Sequence, residues 1–439
     1  MKFYGRTDDL RELHRIGELS QQRGRMTVIS GRRRIGKTRL ILESLREQEY
    51  LYFFVARRDE RLLCEEYTEQ IQRVLKVRII VPFVQFRQVF EYLLSLAAER
   101  HLNVVIDEFQ EFLRINPSVY SDMQNLWDQH KETIRMNLIL SGSVQSLMVR
   151  IFDDYQQPLF GRANAKFFIR PLSLSTLRQI MDAQEVPYTA LDFLTLYTIT
   201  GGIPQYVEEF VDRGATTYSR MLDEILHQQS MFLDEGRFLL MQEFGKDYTT
   251  YFSVLALIAV GKTSRGEIES VLQRPTGGYL TKLQDEYRII KRLRPLFSKP
   301  GTTNIRYYID DNFLRFWFRF IYRNDAAIES RNYAYVRQLI DRDFTTYAGH
   351  LLEKLIRQQL IETQQFSAVG QYWQRNGQNE IDVIAINELD RTAIVGEVKL
   401  QAKYVDLSKL KLKATAIAKP LQGYAVTYRS YSLEDLVGE

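Results

Sequence analysis

A glycine-rich stretch that ends in a lysine and a threonine could hold the phosphate groups of a nucleotide. Its residues fit the pattern G-x-x-x-x-G-K-[ST] at every fixed position and are Gly31, Arg32, Arg33, Arg34, Ile35, Gly36, Lys37 and Thr38. In such a loop the backbone N–H groups surround phosphate oxygens, the lysine reaches the β and γ phosphates, and the hydroxyl is a ligand for Mg²⁺. The stretch therefore predicts a site for ATP with Mg²⁺, and we count the next residue, Arg39, with it.

Two carboxylates that follow an apolar run could complete a nucleotide-hydrolysing site. Asp107 and Glu108 end the run that begins at Val104. Hydrolysis needs a carboxylate for the metal ion and a group that polarises the attacking water, so we assign the first role to Asp107 and the second to Glu108. The segment Ser141 to Ser143, after the next apolar run, lies where a polar residue could contact the γ phosphate or the water.

Two carboxylates and a lysine near the end of the chain could cleave a phosphodiester with a metal ion. Asp382 lies in one strand pattern, and Glu397 and Lys399 alternate on one face of the next. If these strands pair as a hairpin around Asn387 to Arg391, Asp382 approaches Glu397. The carboxylates would then hold Mg²⁺, while the lysine orients the nucleophile or stabilises the developing charge.

A basic cluster in the middle of the chain could contact the phosphates of nucleic acid. It comprises Arg274, Lys282, Arg288, Lys291, Arg292 and Arg294. On a winged helix such side chains meet phosphates while the third helix enters a major groove. Asp285 and Glu286 interrupt the run, so two interpretations stay open: a DNA-binding surface, or the solvated face of a module that packs against other domains.

The N-terminal groups must be positioned by a parallel α/β sheet. In the first 170 residues short apolar runs alternate with amphipathic stretches, which is the rhythm of strands joined by helices. The predicted strands are Met26 to Ser30, Leu51 to Val55, Asn103 to Asp107 and Met136 to Ser141. A helix is predicted from Gly36 through Leu45, so the sheet is of the doubly wound class.

Three further regions follow this sheet. The pattern is helical from Pro171 to Gly245, and between Tyr248 and Tyr308 three helical patterns precede two strand-like pieces, the order of a winged helix-turn-helix. An aromatic helix and a second α/β region end the chain. We predict a nucleotide-binding core at 1–170, a helical lid at 171–245, a winged helix at 246–325 and an α/β domain at 326–439.

The composition excludes several classes of protein. Of the 439 residues 45% are hydrophobic and 26% are charged, the balance of a globular protein and not of a disordered one. The single cysteine, Cys64, cannot form an internal disulfide, and neither a signal peptide nor an apolar run of roughly 20 residues is recognisable. We therefore expect a cytoplasmic protein with no membrane partner. The net charge of +4 is too small by itself to indicate a nucleic-acid partner.

The phosphate loop and its surroundings resemble the AAA+-related P-loop ATPases. The segment Phe3 to Arg6, which includes Gly5, resembles the N-terminal box that packs near adenine in that group. The segments Phe160 to Arg162, Phe167 to Ser173 and Gly201 to Pro204 resemble the archaeal-type ATPase family, also found in bacteria. That family joins the ATPase to a winged helix and to a DUF234-type domain of unknown function related to nucleases.

The resemblance implies an AAA+-like fold, ATP hydrolysis, and contacts of Gly5 and Arg6 with the nucleotide. It also implies that Arg162 is a sensor or an arginine finger, and a finger supplied in trans would require a homo-oligomer. From the residues alone, Arg162 is equally well a salt-bridged surface residue, so both interpretations stay open.

The C-terminal acids resemble the motif of the PD-(D/E)xK nuclease superfamily. The resemblance implies a restriction-endonuclease-like fold in which Asp382 is the first acid and Glu397 and Lys399 form the E-x-K motif. Glu353 on the preceding helix would be a further metal ligand, so that a second Mg²⁺ or Mn²⁺ ion could bind in this domain.

Together these patterns predict an AAA+-type ATPase coupled to DNA binding and to metal-dependent DNA cleavage. Trp373 and Arg375 precede the C-terminal acids, as an aromatic ring and a cation often do beside nucleic acid. The alternative is a nucleotide-dependent switch for signalling or transcription, in which the nuclease-like domain is inactive and serves for binding.

Overall fold

The computed structural model describes residues 2–184, 186–244, 248–375 and 379–437. The chain forms two compact units, one of residues Phe3–Pro171 and one that starts at Leu172. The division into four domains stays a prediction, and its boundary at 245/246 lies outside the described residues.

The first unit is built on a parallel sheet. Within residues 3–171, all of them described, its five strands are β1 (Arg25–Ser30), β2 (Leu51–Phe54), β3 (Leu102–Asp107), β4 (Met136–Gly142) and β5 (Ala165–Phe168). They lie in the order β2-β3-β4-β1-β5, and every neighbouring pair is parallel. All residues of β3 and β4 are buried, as in sheets that helices cover on both faces. The predicted α/β class is confirmed.

Helices connect these strands. They are α1 (Thr7–Leu19), α2 (Lys37–Ser44), α3 (Glu60–Leu75), α4 (Phe86–Glu99), α5 (Phe112–Ile115), α6 (Ser118–His130) and α7 (Gln145–Asp153). Helix α2 begins directly after Gly36, whose φ of 87° is left-handed. The phosphate-loop pattern thus lies between a strand and a helix, as predicted.

The second unit begins with helices. They are α8 (Leu174–Asp182), α9 (Ala190–Thr200), α10 (Pro204–Asp212), α11 (Tyr218–Ile225) and α12 (Phe232–Phe244). All residues of α9 from Asp192 to Thr200 are buried, so this helix is the centre around which the others lie. The region predicted as helical from Pro171 to Gly245 thus forms five helices over its described residues; its last residue, Gly245, lies outside them.

Three helices and a hairpin follow, in the order predicted for a winged helix. They are α13 (Tyr248–Ala259), α14 (Arg265–Leu272), α15 (Gly277–Asp285), β6 (Ile290–Leu293) and β7 (Arg306–Ile309). Strands β6 and β7 pair antiparallel. Ser264 caps α14 in a capping box with Glu267. We call β6, β7 and the residues between them the wing.

The aromatic helix predicted at Asn312 to Tyr322 has three parts. It starts as α16 (Asn312–Phe316), passes through a π-helical turn over Trp317–Ile321 and ends in a 3-10 turn over Tyr322–Asn324. The indole N–H of Trp317 donates to the carbonyl of Leu233, 2.8 Å away, which fixes this segment on α12.

The end of the chain forms a four-stranded sheet with helices. Its described elements are α17 (Asp325–Glu329), α18 (Tyr333–Glu362), β8 (Ala368–Tyr372), β9 (Ile381–Asn387), β10 (Thr392–Val398), α19 (Leu407–Ala414), β11 (Ala425–Tyr431) and α20 (Glu434–Val437). The order is β11-β10-β9-β8; β9 and β10 form the predicted antiparallel hairpin, and β11 pairs parallel to β10. Leu410 of α19 packs with Ile384 and Val395 in the core of this sheet.

We expect Gly236→Ala to destabilise the second unit. Gly236 lies in α12, and a Cβ there would stand 2.2 Å from the ring of the buried Trp317. This overpacking should cost about 1–3 kcal/mol, more than the roughly 1 kcal/mol by which alanine normally favours a helix. The melting temperature measured by calorimetry should therefore fall.

Gly266→Ala is the matched control for this substitution. Gly266 lies in α14 with no heavy atom within 4 Å of the added Cβ, so the melting temperature should stay constant or rise. The packing argument is wrong if the Gly236→Ala protein is as stable as the Gly266→Ala protein.

Candidate functional site

The phosphate loop connects β1 to α2 and contains three residues with positive φ angles, two of which are glycines. Gly31, Arg34 and Gly36 have φ angles of 153°, 68° and 87°. A Cβ on Gly31 would stand 2.9 Å from the carbonyl oxygen of Ile169, so no larger residue fits without a shift. The buried Lys37 folds back over the loop, and its Nζ donates to the carbonyls of Gly31 at 2.9 Å and Arg32 at 3.2 Å.

Asp107 at the end of β3 lies beside the start of α2. The hydroxyls of Thr38 and Tyr52 both donate to its Oδ2, from 3.0 and 2.5 Å. Burial raises the pKa of Tyr52, and the hydrogen bond to Asp107 raises it further, so the phenol stays protonated as a donor. The sequence predicted Thr38 and Asp107 together but missed Tyr52. Only the fold, which places β2 next to β3, brings Tyr52 to Asp107.

Glu108 is held by two neighbouring side chains. Its Oε2 accepts hydrogen bonds from Ser143 Oγ at 2.7 Å and from Gln110 Nε2 at 2.5 Å. Its φ of 55° is left-handed, which is unusual for a residue with a Cβ and marks a constrained position. The predicted approach of Ser143 to this site is thus seen as a contact with Glu108.

Gly142 makes room for this arrangement. A Cβ there would stand 2.3 Å from Met148 Sδ and 2.4 Å from Gln110 Oε1.

The hydroxyl of Thr38 and the carboxylate of Asp107 are hard oxygen ligands of the kind that Mg²⁺ binds. The phosphate loop places backbone N–H groups at the start of a helix. The described residues therefore fit a nucleotide with its divalent cation.

The N-terminal segment lies against the phosphate loop. Gly5 and Arg6 both have a φ of 66°. The Arg6 guanidinium donates to the carbonyls of Ile35, at 3.5 Å, and Arg170. Burial lowers the pKa of Arg6, against the opposing effect of Asp9. The segment that we predicted near adenine is thus tied to the loop.

The other arginines of the loop face different surroundings. Arg33 and Arg39 are exposed, whereas Arg32 and Arg34 are half-buried. The Arg39 guanidinium lies 5.9 Å from the ring centre of Phe3. The buried Ile35 anchors the loop in the core.

Arg162 does not reach the phosphate loop of its own chain. It precedes β5, whereas the loop follows the parallel neighbour β1, so the two lie at opposite ends of these strands. Its guanidinium pairs with Asp128 at 2.9 Å and donates to the carbonyl of Phe160 at 2.9 Å. The expected role as a sensor within the chain is therefore not supported by the geometry, and the role in trans stays a prediction.

The C-terminal acids come together as the sequence predicted. Asp382 of β9 accepts the backbone N–H of Val398 at 2.9 Å, which places it beside Glu397. Glu397 Oε1 lies 3.3 Å from Lys399 Nζ and 3.4 Å from Lys413 Nζ. Glu397 is 8% exposed, and its Oε2 is buried with no hydrogen-bond partner among the described residues. We call Asp382, Glu397 and Glu353 the carboxylate cluster.

Repulsion and burial shape the protonation of this cluster. Burial and the nearby charge of Glu353 raise the pKa of Asp382 to about 7, although the N–H of Val398 and the charge of Lys399 oppose the shift. Burial works against the charge of Lys399, but the carboxylates Asp382 and Glu397 raise the pKa of its ammonium overall. The cluster therefore attracts cations.

Three members of this neighbourhood were not predicted. Arg357 donates to the carbonyl of Asp382 at 2.5 Å, His350 lies 3.5 Å from Glu353, and Lys413 reaches Glu397 from α19. The hydrogen bond to Glu353 raises the pKa of His350. The signal for two of them was their spacing on α18, where His350, Glu353 and Arg357 recur every three or four residues. Lys413 had no such signal.

No ready-made metal centre is present in the parts of the chain that the structure describes, because no three acidic, histidine or cysteine side chains stand close enough. Glu397 Oε1 is already paired with two ammonium groups. A divalent cation would have to compete with these lysines for the cluster.

Trp373 and Arg375 serve a different purpose from the predicted one. Trp373 is 2% exposed, its indole N–H donates to Asn304 Oδ1 at 3.0 Å, and Arg306 lies 4.7 Å from its ring. Arg375 donates to the hydroxyl of Thr303 at 2.9 Å. Both residues hold the wing and leave no ring face open for base stacking, so the prediction of a nucleic-acid contact at Trp373 is wrong.

The predicted basic cluster lies on the surface. All six residues, from Arg274 to Arg294, are exposed. Lys291 pairs with Asp310 at 2.8 Å, and Arg274 lies 5.6 Å from the ring of Tyr279.

Across the described residues, no helix combines the length and the apolar character that crossing a membrane requires.

Comparisons with known proteins bear on both ends of the chain. Residues 3–210 match the profile described as an ATPase domain predominantly from Archaea. Residues 317–413 match DUF234, described as archaeal and bacterial proteins of unknown function. The uncharacterized protein MJECL04 of Methanocaldococcus jannaschii is 30% identical over 409 residues, which cover 90% of this chain and 87% of that protein.

Among solved structures, the Walker-type ATPase PABY2304 of Pyrococcus abyssi shares the fold. The TM-score is 0.53 at 19% identity, over 72% of this chain and 96% of that one. The ORC2 protein of Aeropyrum pernix, solved with ADPNP and ADP, has a TM-score of 0.49 at 16% identity, over 75% and 95%. The match along nearly the whole chain to a relative, together with the two profiles, decides the family. The chain belongs to the archaeal-type, AAA+-related P-loop ATPases with a C-terminal DUF234 domain, and it hydrolyses ATP.

Proposed function

We propose that this ATPase couples ATP hydrolysis to DNA binding and to metal-dependent DNA cleavage. In this proposal residues 1–170 hydrolyse ATP, 171–245 form a lid, 246–325 bind DNA and 326–439 cut it. The observation that carries the cleavage is the buried, unpartnered Oε2 of Glu397 within a cluster that raises the pKa of Asp382 to about 7. A carboxylate oxygen that has no partner among the described residues is available as a ligand for a divalent cation.

In the ATP site the roles follow from the contacts. Lys37 would exchange its carbonyl partners for β and γ phosphate oxygens, and Thr38 and Asp107 would hold Mg²⁺, which supplies positive charge to the transferred phosphoryl group. Tyr52 keeps Asp107 oriented. Glu108, held by Ser143 and Gln110, would orient the attacking water.

In the carboxylate cluster, Asp382 and Glu397 would hold Mg²⁺ or Mn²⁺, which would stabilise negative charge on the scissile phosphate. Glu353 would have to move closer to become a third ligand, because no three such side chains of the described residues are near enough to hold a metal together. Lys399 would orient the nucleophilic water beside it. Arg357, which bonds the Asp382 backbone, would keep β9 and α18 together. The solvent-facing basic side chains around α15 support the proposal that duplex phosphates bind there.

A homo-oligomer would complete the ATP site. Arg162 lies at the end of the strands opposite to its own phosphate loop and pairs with Asp128 on the surface. We propose that a neighbouring subunit offers this arginine as a finger, since a guanidinium there would stabilise the charge that develops during hydrolysis.

One observation favours the alternative of a switch with an inactive nuclease-like domain. Lys399 and Lys413 both pair with one oxygen of Glu397, so this carboxylate already has charge partners without a metal ion. In that case ATP hydrolysis would regulate binding of a partner, and no DNA strand would be broken.

Glu108→Gln should separate ATP binding from ATP hydrolysis. The amide keeps an oxygen that accepts from Ser143 and Gln110, but it lacks the charge that polarises water, so turnover should fall about 10²–10⁴-fold. Phosphate release and calorimetric titration with ATP measure the two steps. Glu91→Gln, which alters a surface ion pair with Arg87, is the control and should leave both unchanged. A Glu108→Gln enzyme that turns over normally would remove the assigned role.

Asp382→Asn and Glu397→Gln should abolish nicking of supercoiled plasmid in Mn²⁺ or Mg²⁺ while ATP turnover persists. The control is Glu380→Gln, because Glu380 precedes β9 but pairs with Arg306 instead of the cluster. Wild-type plasmid that stays intact with both metals, with and without ATP, would refute cleavage and favour the switch.

The contribution of Asp382 to the stability of the protein in EDTA should fall as pH rises from about 4 to about 7. The pKa of Asp382 is about 7 in the folded protein against an ordinary 3.8, so between these values the folded state binds more protons than the unfolded state. Asp382→Asn removes this term. The melting temperature of wild type relative to Asp382→Asn should therefore be higher near about pH 5 than near about pH 8. Equal differences at both pH values would contradict the assigned shift.

A further inference from the structure

Helix α19 delivers a second ammonium group to the carboxylate cluster. Leu410 and Ala414 of this helix are buried in the core of the C-terminal sheet, which fixes its position. At its start the carboxylate of Asp406 accepts the backbone N–H groups of Ser408 and Lys409. Lys413, with 32% of its side chain exposed, therefore reaches Glu397 from a rigid element.

Lys413 and Lys399 share one oxygen. Their Nζ atoms lie 3.4 and 3.3 Å from Glu397 Oε1, whereas Oε2 has no hydrogen-bond partner among the described residues. Lys399 directly follows the strand of Glu397, and its N–H still donates to the carbonyl of Tyr431, so the alternation of the strand brings it there. Lys413 comes from a separate helix, and its place at the cluster has no such local cause.

A divalent cation and these ammonium groups compete. A metal ion bound to Glu397 would stand next to two positive charges, and like charges at such distances repel strongly in a partly buried site. Lys413 is the easier of the two to release, because it pairs with Glu397 alone among the described residues, whereas Lys399 is also attracted by the charge of Asp382.

We propose that Lys413 is the cation that a divalent metal displaces from Glu397, and that the displaced ammonium then binds a phosphate of the nucleic-acid strand beside the metal. This inference rests on the proposed cleavage function. Lys413 is thus a positioning residue with two opposite effects: it weakens metal binding and strengthens substrate binding.

Lys413→Met tests both effects in the full-length protein. Calorimetric titration with Mn²⁺ should show an affinity about three- to tenfold higher than in wild type, which is the size of one ion pair removed. Heat from other Mn²⁺ sites is subtracted with the corresponding Asp382→Asn protein. Anisotropy of labelled DNA in Ca²⁺ should show binding weakened several-fold, and Lys413→Arg should restore wild-type values in both measurements.

Lys409→Met is the matched control, because Lys409 lies on the same helix but pairs with Asp406 at 3.7 Å. It should leave the Mn²⁺ affinity unchanged. An unchanged or lower Mn²⁺ affinity of Lys413→Met, in a protein that melts like wild type, would overturn this inference alone. Absence of Asp382-dependent Mn²⁺ binding in every variant would overturn the proposed cleavage site and this inference with it.

Discussion

Burying a carboxylate is unfavourable unless its charge is balanced, and both sites of this ATPase depend on how the balance is made. Asp107 is 4% exposed and is balanced by neutral donors, the hydroxyls of Thr38 and Tyr52 and the backbone N–H of Glu108. Glu397 is 8% exposed and is balanced by two ammonium groups. The two sites therefore differ in how strongly they attract a further cation.

Neutral donors hold a carboxylate in place without cancelling its charge. Asp107 therefore keeps its attraction for a metal ion that arrives with a nucleotide. The two ammonium groups at Glu397 hold its carboxylate in place and also neutralise its negative charge. Asp382 of the same cluster has a pKa raised to about 7, chiefly by burial and by the charge of Glu353. One site is ready for a cation, and the other already contains cations of its own.

The parts of the molecule that the sequence predicted have local causes. The phosphate loop is a contiguous motif with fixed glycines, and the hairpin of β9 and β10 follows from strand alternation and one turn. The convergence of Asp382 with Glu397 needs only that hairpin. Strand β5 was missed because two of its four residues are exposed, so its pattern lacks an apolar run.

The parts that could not be predicted depend on contacts between distant segments. Tyr52 reaches Asp107 only because β2 and β3 are neighbours, and Lys413 reaches Glu397 only because α19 packs on the sheet. Trp373 looked like a stacking ring, and only the fold shows that the wing covers it. Sequence spacing cannot report which of these surfaces becomes an interface.

For the proposed DNA binding, the anchored wing limits how this module could read a duplex. The N–H of Leu296 donates to the carbonyl of Gln371 at 2.8 Å, and Arg306 and Asn304 hold Trp373, so the hairpin is engaged by the C-terminal sheet. A hairpin engaged in this way is not available to a minor groove, which leaves α15 alone as the reading element. The footprint on DNA would then be short, few counterions would be released, and affinity would depend only modestly on salt. Selectivity for a longer site would have to come from a second copy of the module.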